Sequence, residues 1–388
     1  MNKGGGTAFL SPKTQSSPRI LLVGLMPGLG NMHLPRHLAR AGLEVVFAGV
    51  RSCMASRSGH VRTSYPWPSD GGGLAVEPFI DCVRQSQPQW VIPLDELAAQ
   101  VLQQIGIGQL PGGESPLPAD IVELMRRSLG NPTGYPLFAA RRRAFETAHA
   151  ASIPVASQAD VDTFEACLQF AREHGYPVVL KQETSRGGAA AFILDSEAAL
   201  GNFATSGQFG RPGQPWVIQR FIPGALGMHA VFAEQGRILA KLSAVQIRRR
   251  SDRATAPSSV VKLLQHEAMA ASCAAFVAAT GASGFHGWDF QLEENGNAVM
   301  IEHNPRPISI SHLGYLLGDD LCRALATACG ATIGNPRPSA GEERHVALFP
   351  DEWQRDPLSP MLHETFHDAP WDDQPLFTAL LQENMRFV

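Results

Sequence analysis

The sequence predicts an α/β protein: a doubly wound parallel-sheet domain followed by a larger mixed α/β unit. Three observations predict it. Short apolar strands alternate with helices from Ile20 to Ile105, a second alternation runs from Leu129 to Gly330, and an Asn-Gly dipeptide separates two strand-like runs within Gly287–Arg306. A chain of 388 residues accommodates two or three domains of roughly 150 residues. Its 44% hydrophobic and 18% charged content excludes a disordered, solvating chain. A net charge of −4 gives no reason to expect a nucleic-acid partner. Apolar runs such as Ile20–Leu25 and Val45–Val50 are too short to cross a bilayer, so no membrane partner is expected. Cys53, Cys82, Cys167, Cys273, Cys322 and Cys329 form no CxxC pair. This argues against a disulfide framework or a cysteine zinc site, and for a reducing, cytoplasmic location.

Residues 1–18 are rich in Gly, Ser and Pro and read as a disordered tail without the apolar core of a signal peptide. The first domain is placed at residues 19–128. Ile20–Gly24 is a buried strand, the Gly/Pro loop Met26–Asn31 follows, His33–Ala41 is a helix capped by Gly42, and Val45–Ala48 is the next strand. Glu77–Ser86, Trp90–Pro93 and Glu96–Ile105 continue the alternation. Gly24, Gly28 and Gly30 do not fit GxGxxG, which disfavours a nicotinamide-dependent oxidoreductase. The second domain is placed at residues 129–330. It begins with helices Ala140–Ala151 and Asp162–His174 and strands Pro177–Lys181, Phe192–Leu194 and Trp216–Ile222. A hairpin of His229–Glu234 with Arg237–Leu242 and a small-residue helix, Gln265–Thr280, follow. Residues 331–388 read as a less regular C-terminal segment.

The strongest local signal is the hairpin around Asn295-Gly296. A two-residue turn there, or a four-residue loop Glu294–Asn297, places Asp289 directly opposite Glu302. Side chains so paired have Cβ atoms about 4.5–5.5 Å apart, where two carboxylates repel unless compensated. Asn304, two residues beyond Glu302, shares that face, and Phe290, Leu292, Val299 and Ile301 are expected to pack on the other. Asp289, Glu302 and Asn304 offer only hard oxygen ligands, which suit Mg²⁺ rather than zinc. A solvent-facing acidic hairpin is the competing reading. Arg306 extends the same face, with its direction left open by Pro305.

Lys181 is one of five lysines and ends an apolar strand, where an ammonium is costly unless it meets an anion. The small-residue loop Ser185-Arg186-Gly187-Gly188-Ala189-Ala190-Ala191 follows, and backbone N–H groups of such a loop can wrap phosphate oxygens. Together they suggest a triphosphate site, although each alone also suits a snorkelling lysine and a plain connection. GxxxxGK[ST] is absent, which excludes a P-loop NTPase.

These segments, in this order and spacing, resemble the ATP-grasp superfamily. They are Tyr176–Lys181, Ser185–Ala191, Val217–Gly224 and the Asp289–Arg306 hairpin ending Ile301-Glu302-His303-Asn304-Pro305-Arg306. The resemblance implies a Rossmann-like N-terminal domain followed by a two-lobed ATP-grasp fold. It implies that Lys181 contacts the α/β phosphates, that Ser185, Gly187 and Gly188 belong to a lid, and that Gln219, Phe221 and Ile222 line the adenine pocket. It also implies that Asp289, Glu302 and Asn304 hold Mg²⁺ (or Mn²⁺), and that Arg306 stabilises an acyl phosphate. Arg141 stands where the family usually has its first lysine, Arg220 replaces a glutamate, and the ribose-binding glutamate expected near Leu226–Met228 is not evident. Arginine keeps the phosphate-binding charge at 141.

The implied activity is ATP-dependent ligation of a small-molecule carboxylate to an amine, with ATP and Mg²⁺ as cofactors, Arg306 and Lys181 as catalytic residues, and a homodimer as the assembly. A catalytically weakened ATP-binding regulatory or scaffold protein with the same fold is the alternative. The arginine-rich stretch Ile247–Arg253 reads as a solvated loop.

Overall fold

A computed structural model describes residues 17–29, 31–68, 74–109, 116–135, 141–182, 191–207, 216–331 and 343–384. Three sheets organise them. The first is parallel throughout, in the order β3-β2-β1-β4, from β1 (Arg19–Gly24), β2 (Glu44–Gly49), β3 (Val61–Pro66) and β4 (Trp90–Pro93). Its helices are α1 (Leu34–Arg40), α2 (Glu77–Ser86), α3 (Glu96–Gly106) and α4 (Ala119–Leu129). The strand order reverses between β1 and β4, so the loops leaving these two strands diverge and open a crevice at their carboxyl ends, the usual ligand position in such sheets.

The second sheet is small and antiparallel, in the order β5-β8-β6-β7, built from β5 (Gln158–Val161), β6 (Val178–Gln182), β7 (Ala191–Leu194) and β8 (Trp216–Arg220). Helices Phe164–His174 and Glu197–Thr205 cover it through Phe170, Leu200 and Phe203, which pack on Val178, Leu180, Trp216 and Ile218. Both helices start at a side-chain cap, Thr163 to the Ala166 N–H and Ser196 to the Ala199 N–H. The edge strand β5 is only four residues, Gln158-Ala159-Asp160-Val161, too short for its alternation to be read in the sequence, and pairing with β8 holds it. β8 stops at Arg220, short of the predicted Ile222.

The third sheet has seven strands in the order β13-β12-β9-β10-β11-β14-β15. They are β9 (Ala225–Glu234), β10 (Arg237–Arg249), β11 (Ser258–Leu264), β12 (Gly284–Leu292), β13 (Ala298–Asn304), β14 (Arg344–Ala347) and β15 (Phe366–His367). β9 lies inside it and is buried on both faces. Met228, Ala230 and Phe232 point into a core shared with the first sheet, while Val231 and Ala233 join the core under helix Glu267–Thr280. The period-two alternation thus divides one strand between two cores. The segment after residue 331, read as less regular, adds β14 and β15 to this sheet. Arg248 and Arg249, read as loop, instead continue β10 against β11.

The acidic hairpin departs from the expected turn. The Glu293 N–H donates to the Asn297 carbonyl at 3.0 Å and Gly296 has φ +86°, so the loop is Glu294-Asn295-Gly296 with glycine in the left-handed position. That turn alone would offset Asp289 from Glu302. A β-bulge restores the pairing: Phe290 faces Met300, Asp289 faces Glu302, and Ile301 is left out between them. The bulge also corrects the packed face. Ala298 and Met300, rather than Val299 and Ile301, join Trp288 and Phe290 in the core.

Candidate active site

Lys181 and Gln219 lie on neighbouring strands, with Lys181 opposite Val217 and Val179 opposite Gln219, so their side chains are diagonal neighbours on one face. The Lys181 ammonium donates to Gln219 Oε1 at 2.8 Å, and both residues are buried. The lysine therefore ends inside the protein rather than snorkelling to water. Gln219 Nε2 reaches Gln158 Oε1 at 3.3 Å and the Ile301 carbonyl at 3.5 Å. Ile301 is the bulge residue, so the irregularity that aligns the two acids also turns a carbonyl toward the small sheet. Pairing of Val155 with Met300 reinforces the junction, through the Met300 N–H to the Pro154 carbonyl at 2.8 Å. Phe221 and Ile222 follow β8. The Phe221 N–H donates to the Pro177 carbonyl at 3.3 Å, and Ile222 is buried. Thr255, in the β10–β11 connection, donates to the Ala191 carbonyl at 3.2 Å, so this arginine-rich hairpin touches the small sheet.

On the large sheet, Asp289 faces Glu302 and Gly287 faces Asn304. The two acids are half-buried and Asn304 is buried. A Cβ at Gly287 would come within 2.3 Å of Ile308 Cγ2, so glycine lets the segment after β13 fold back across β12. That return places Arg306. Its Nη2 donates to Asn304 Oδ1 at 3.1 Å and, with Nε at 2.8 Å, to the Glu96 carboxylate, while Nη1 donates to the Pro307 carbonyl at 3.0 Å. Glu96 opens α3 at the crevice where the first sheet's order reverses. Asp95, before it, caps α3 through the Ala98 N–H at 2.9 Å and accepts from the Leu25 and Met26 N–H groups at 2.8 and 3.1 Å. Burial raises the Asp95 pKa, and these three N–H groups oppose the rise. Asn31 Nδ2 bridges the Leu94 and Pro307 carbonyls at 3.1 and 2.8 Å.

The structure thus gathers Lys181 with Gln219 on one side and Asp289, Glu302, Asn304 and Arg306 on the other. Arg141 opens the helix Arg141–Ala150, but its side chain, like Ser185, Gly187 and Gly188, lies outside the described residues. Glu96, Asp95 and Asn31 escape sequence reasoning. Asp95-Glu96 after an apolar strand is a readable helix start, yet nothing in the sequence ties it to an arginine 210 positions later.

Residues 140–314 match the family model described as "Carbamoyl-phosphate synthase L chain, ATP binding domain". That match marks residues 140–314 as an ATP-grasp domain. A phosphoribosylamine–glycine ligase of Allochromatium vinosum is 26% identical over 223 residues, 53% of this chain and 49% of that protein. The chain spans about half the length of the curated relatives it matches. Among solved structures, an L-amino acid ligase from Bacillus licheniformis shares the fold with a TM-score of 0.56 at 17% identity, covering 86% of this chain and 79% of that one. The biotin carboxylase domain of Hydrogenobacter thermophilus 2-oxoglutarate carboxylase, in complex with MgADP and bicarbonate, does so with a TM-score of 0.57 at 17% identity, covering 85% and 74%.

In this ATP-grasp chain the small sheet and the large sheet form the two lobes, and the Gln219–Ile301 contact marks where they meet. Arg220, which stands in place of a glutamate, is exposed at the end of β8. Replacing Lys181 by Met keeps the apolar stem and removes the ammonium. The phosphate role that the resemblance implies for Lys181 predicts ATP binding weakened about 10–100-fold by calorimetry, the equivalent of one charge-assisted contact of about 1.5–3 kcal/mol.

Proposed function

We propose that this protein is an ATP-dependent ligase that activates a small-molecule carboxylate as an acyl phosphate and couples it to an amine. The observation that carries the reading is the pairing of Asp289 with Glu302, next to Asn304 and an arginine held at the first domain's crevice. In the proposed reaction a substrate carboxylate oxygen attacks the γ-phosphorus of ATP and ADP leaves. The amine nitrogen then attacks the acyl carbon, phosphate leaves, and the nitrogen loses its proton to give an amide. Lys181 binds the α/β phosphates, Gln219 fixes the lysine, and Phe221 with Ile222 walls the base. Arg306, aimed by Glu96 and Asn304, holds the developing acyl-phosphate charge. Arg141 adds a phosphate contact, and Ser185, Gly187 and Gly188 belong to a lid on resemblance alone. The oxygen set Asp289, Glu302 and Asn304 fits Mg²⁺, with Mn²⁺ suited to the same ligands, and the ion would neutralise phosphate charge when bound. Positioning and electrostatics supply the catalysis, and no protein nucleophile is required.

The relatives' names support a carboxylate–amine reaction: one joins phosphoribosylamine to glycine and another is an L-amino acid ligase. No helix among the described residues is long and apolar enough to cross a membrane. The test is phosphate release over a matrix of carboxylates and amines, with mass spectrometry of the product. A carboxylate- and amine-dependent release with an amide product supports the ligase. ATP binding without release across the matrix favours the regulatory or scaffold reading, which the glutamate-to-arginine change at 220 motivates.

A further inference from the structure

Away from Lys181 and the acidic hairpin, three distant parts of the chain converge on one buried cluster. His33 precedes α1, His312 lies in the loop after β13, and Asp368 follows β15. Asp368 Oδ2 is 3.2 Å from His312 Nε2 and 3.7 Å from His33 Nε2, and one ligand atom from each residue falls within 4.8 Å of the others. All three are at least 95% buried. Ligands at 2.0–2.1 Å from a tetrahedral zinc are about 3.4 Å from one another, so the two separations from Asp368 are close to those of a formed shell.

His37 is the second observation. It lies four residues after His33, hence on the same helix face, and its ring centroid is 5.0 Å from that of His312. Its Nε2 is buried without a hydrogen-bond partner among the described residues. A buried orphan imidazole nitrogen is costly unless something ligates or bonds it. Burial also disfavours protonation of His33, His37 and His312, leaving the neutral form that binds metals.

We propose that His33, His312 and Asp368 bind a divalent transition-metal ion, with zinc the best match, and that His37 completes a four-coordinate shell. Three imidazoles and one carboxylate favour zinc over the magnesium suited to Asp289, Glu302 and Asn304. Arg36 lies beside the cluster, but its guanidinium is taken by Asp372 at 2.8 Å and the Asp368 carbonyl at 2.8 Å, and Asp372 also pairs with Arg40. Asp368 Oδ1 accepts from the Phe349 N–H, and the Phe349 carbonyl faces His33 Nε2 at 3.3 Å. The closed, buried arrangement makes the ion a tie rather than a catalyst. It would pin the start of α1, the loop behind Arg306 and the C-terminal segment together. Asn31, two residues before His33, already bonds the Pro307 carbonyl, so the tie lies directly behind the crevice.

The full chain is stripped with chelator and titrated with Zn²⁺ and with Co²⁺, whose visible bands report tetrahedral nitrogen ligation. Expected results are about one ion per chain by elemental analysis and tetrahedral cobalt bands. An unfolding midpoint raised by about 3 °C at a hundredfold excess over Kd is also expected. Binding persists in the double variant Asp289→Asn/Glu302→Gln and is lost in His312→Ala and Asp368→Asn. Failure of the folded wild type to take up zinc or cobalt overturns the proposal. So do octahedral cobalt bands, or uptake that vanishes with Asp289 and Glu302 but survives loss of His312. None of these readouts depends on ATP turnover, so failure of the ligase reading leaves this test intact.

Discussion

Asp289→Asn and, separately, Glu302→Gln lower metal-dependent ATP turnover by about 1,000-fold or more, because each removes a carboxylate expected to hold the divalent ion, an effect of several kcal/mol. The measurement is steady-state ADP release at saturating Mg²⁺ and ATP, with the substrate pair found by the matrix screen. Both changes are isosteric and sit on half-buried strand positions, so the unfolding midpoint is expected to stay within a few degrees of wild type. Retained turnover in both variants would exclude this hairpin as the metal site.

Glu352→Ala has the largest expected effect on stability. The carboxylate is fully buried and collects donors from four places: Arg248 at 3.3 Å, Arg355 Nε and Nη2 at 2.8 and 2.7 Å, Ser259 Oγ at 2.6 Å, and the Ser359 hydroxyl. Removing it strands two arginines and two hydroxyls, which costs about 3–5 kcal/mol, or roughly 4–6 °C in midpoint by calorimetry. Burial works against ionisation of Glu352, but the Arg355 and serine hydrogen bonds outweigh it and bring the pKa from 4.5 down to about 2. Because the folded pKa is depressed, the contribution is complete above the unfolded value near 4.5 and is lost as pH falls toward 2. The difference in stability between wild type and Glu352→Gln should therefore shrink over that window. A difference that holds constant from pH 6 to pH 2.5 would contradict the assignment.

Much of the fold is legible in the sequence because local chemistry fixes it. Trp90–Pro93 is a continuous apolar run and forms a fully buried strand. Gln235-Gly236 closes its hairpin with both residues at positive φ. Lys181 after three buried residues signals an ammonium that has to be met inside the protein, expected there to be by an anion, and Gln219 Oε1 lies against it. Other parts are legible only in outline. The expected register at Asp289 and Glu302 holds, but a three-residue turn and a bulge at Ile301 produce it together. The single extra residue changes which apolar side chains face the core, and hydrophobic pattern alone does not locate it.

By itself the sequence determined the α/β class, the order of the lobes, and the acid, amide and arginine at 289, 302, 304 and 306, because strand alternation and turn chemistry act over a few residues. Tertiary structure alone decided that Arg306 meets Glu96, that Arg248 and Ser259 close on Glu352, and that His33, His312 and Asp368 share one buried point. Such contacts join residues 56 to 335 positions apart. Their geometry comes from sheet order and the packing of whole elements, which no short stretch of sequence encodes.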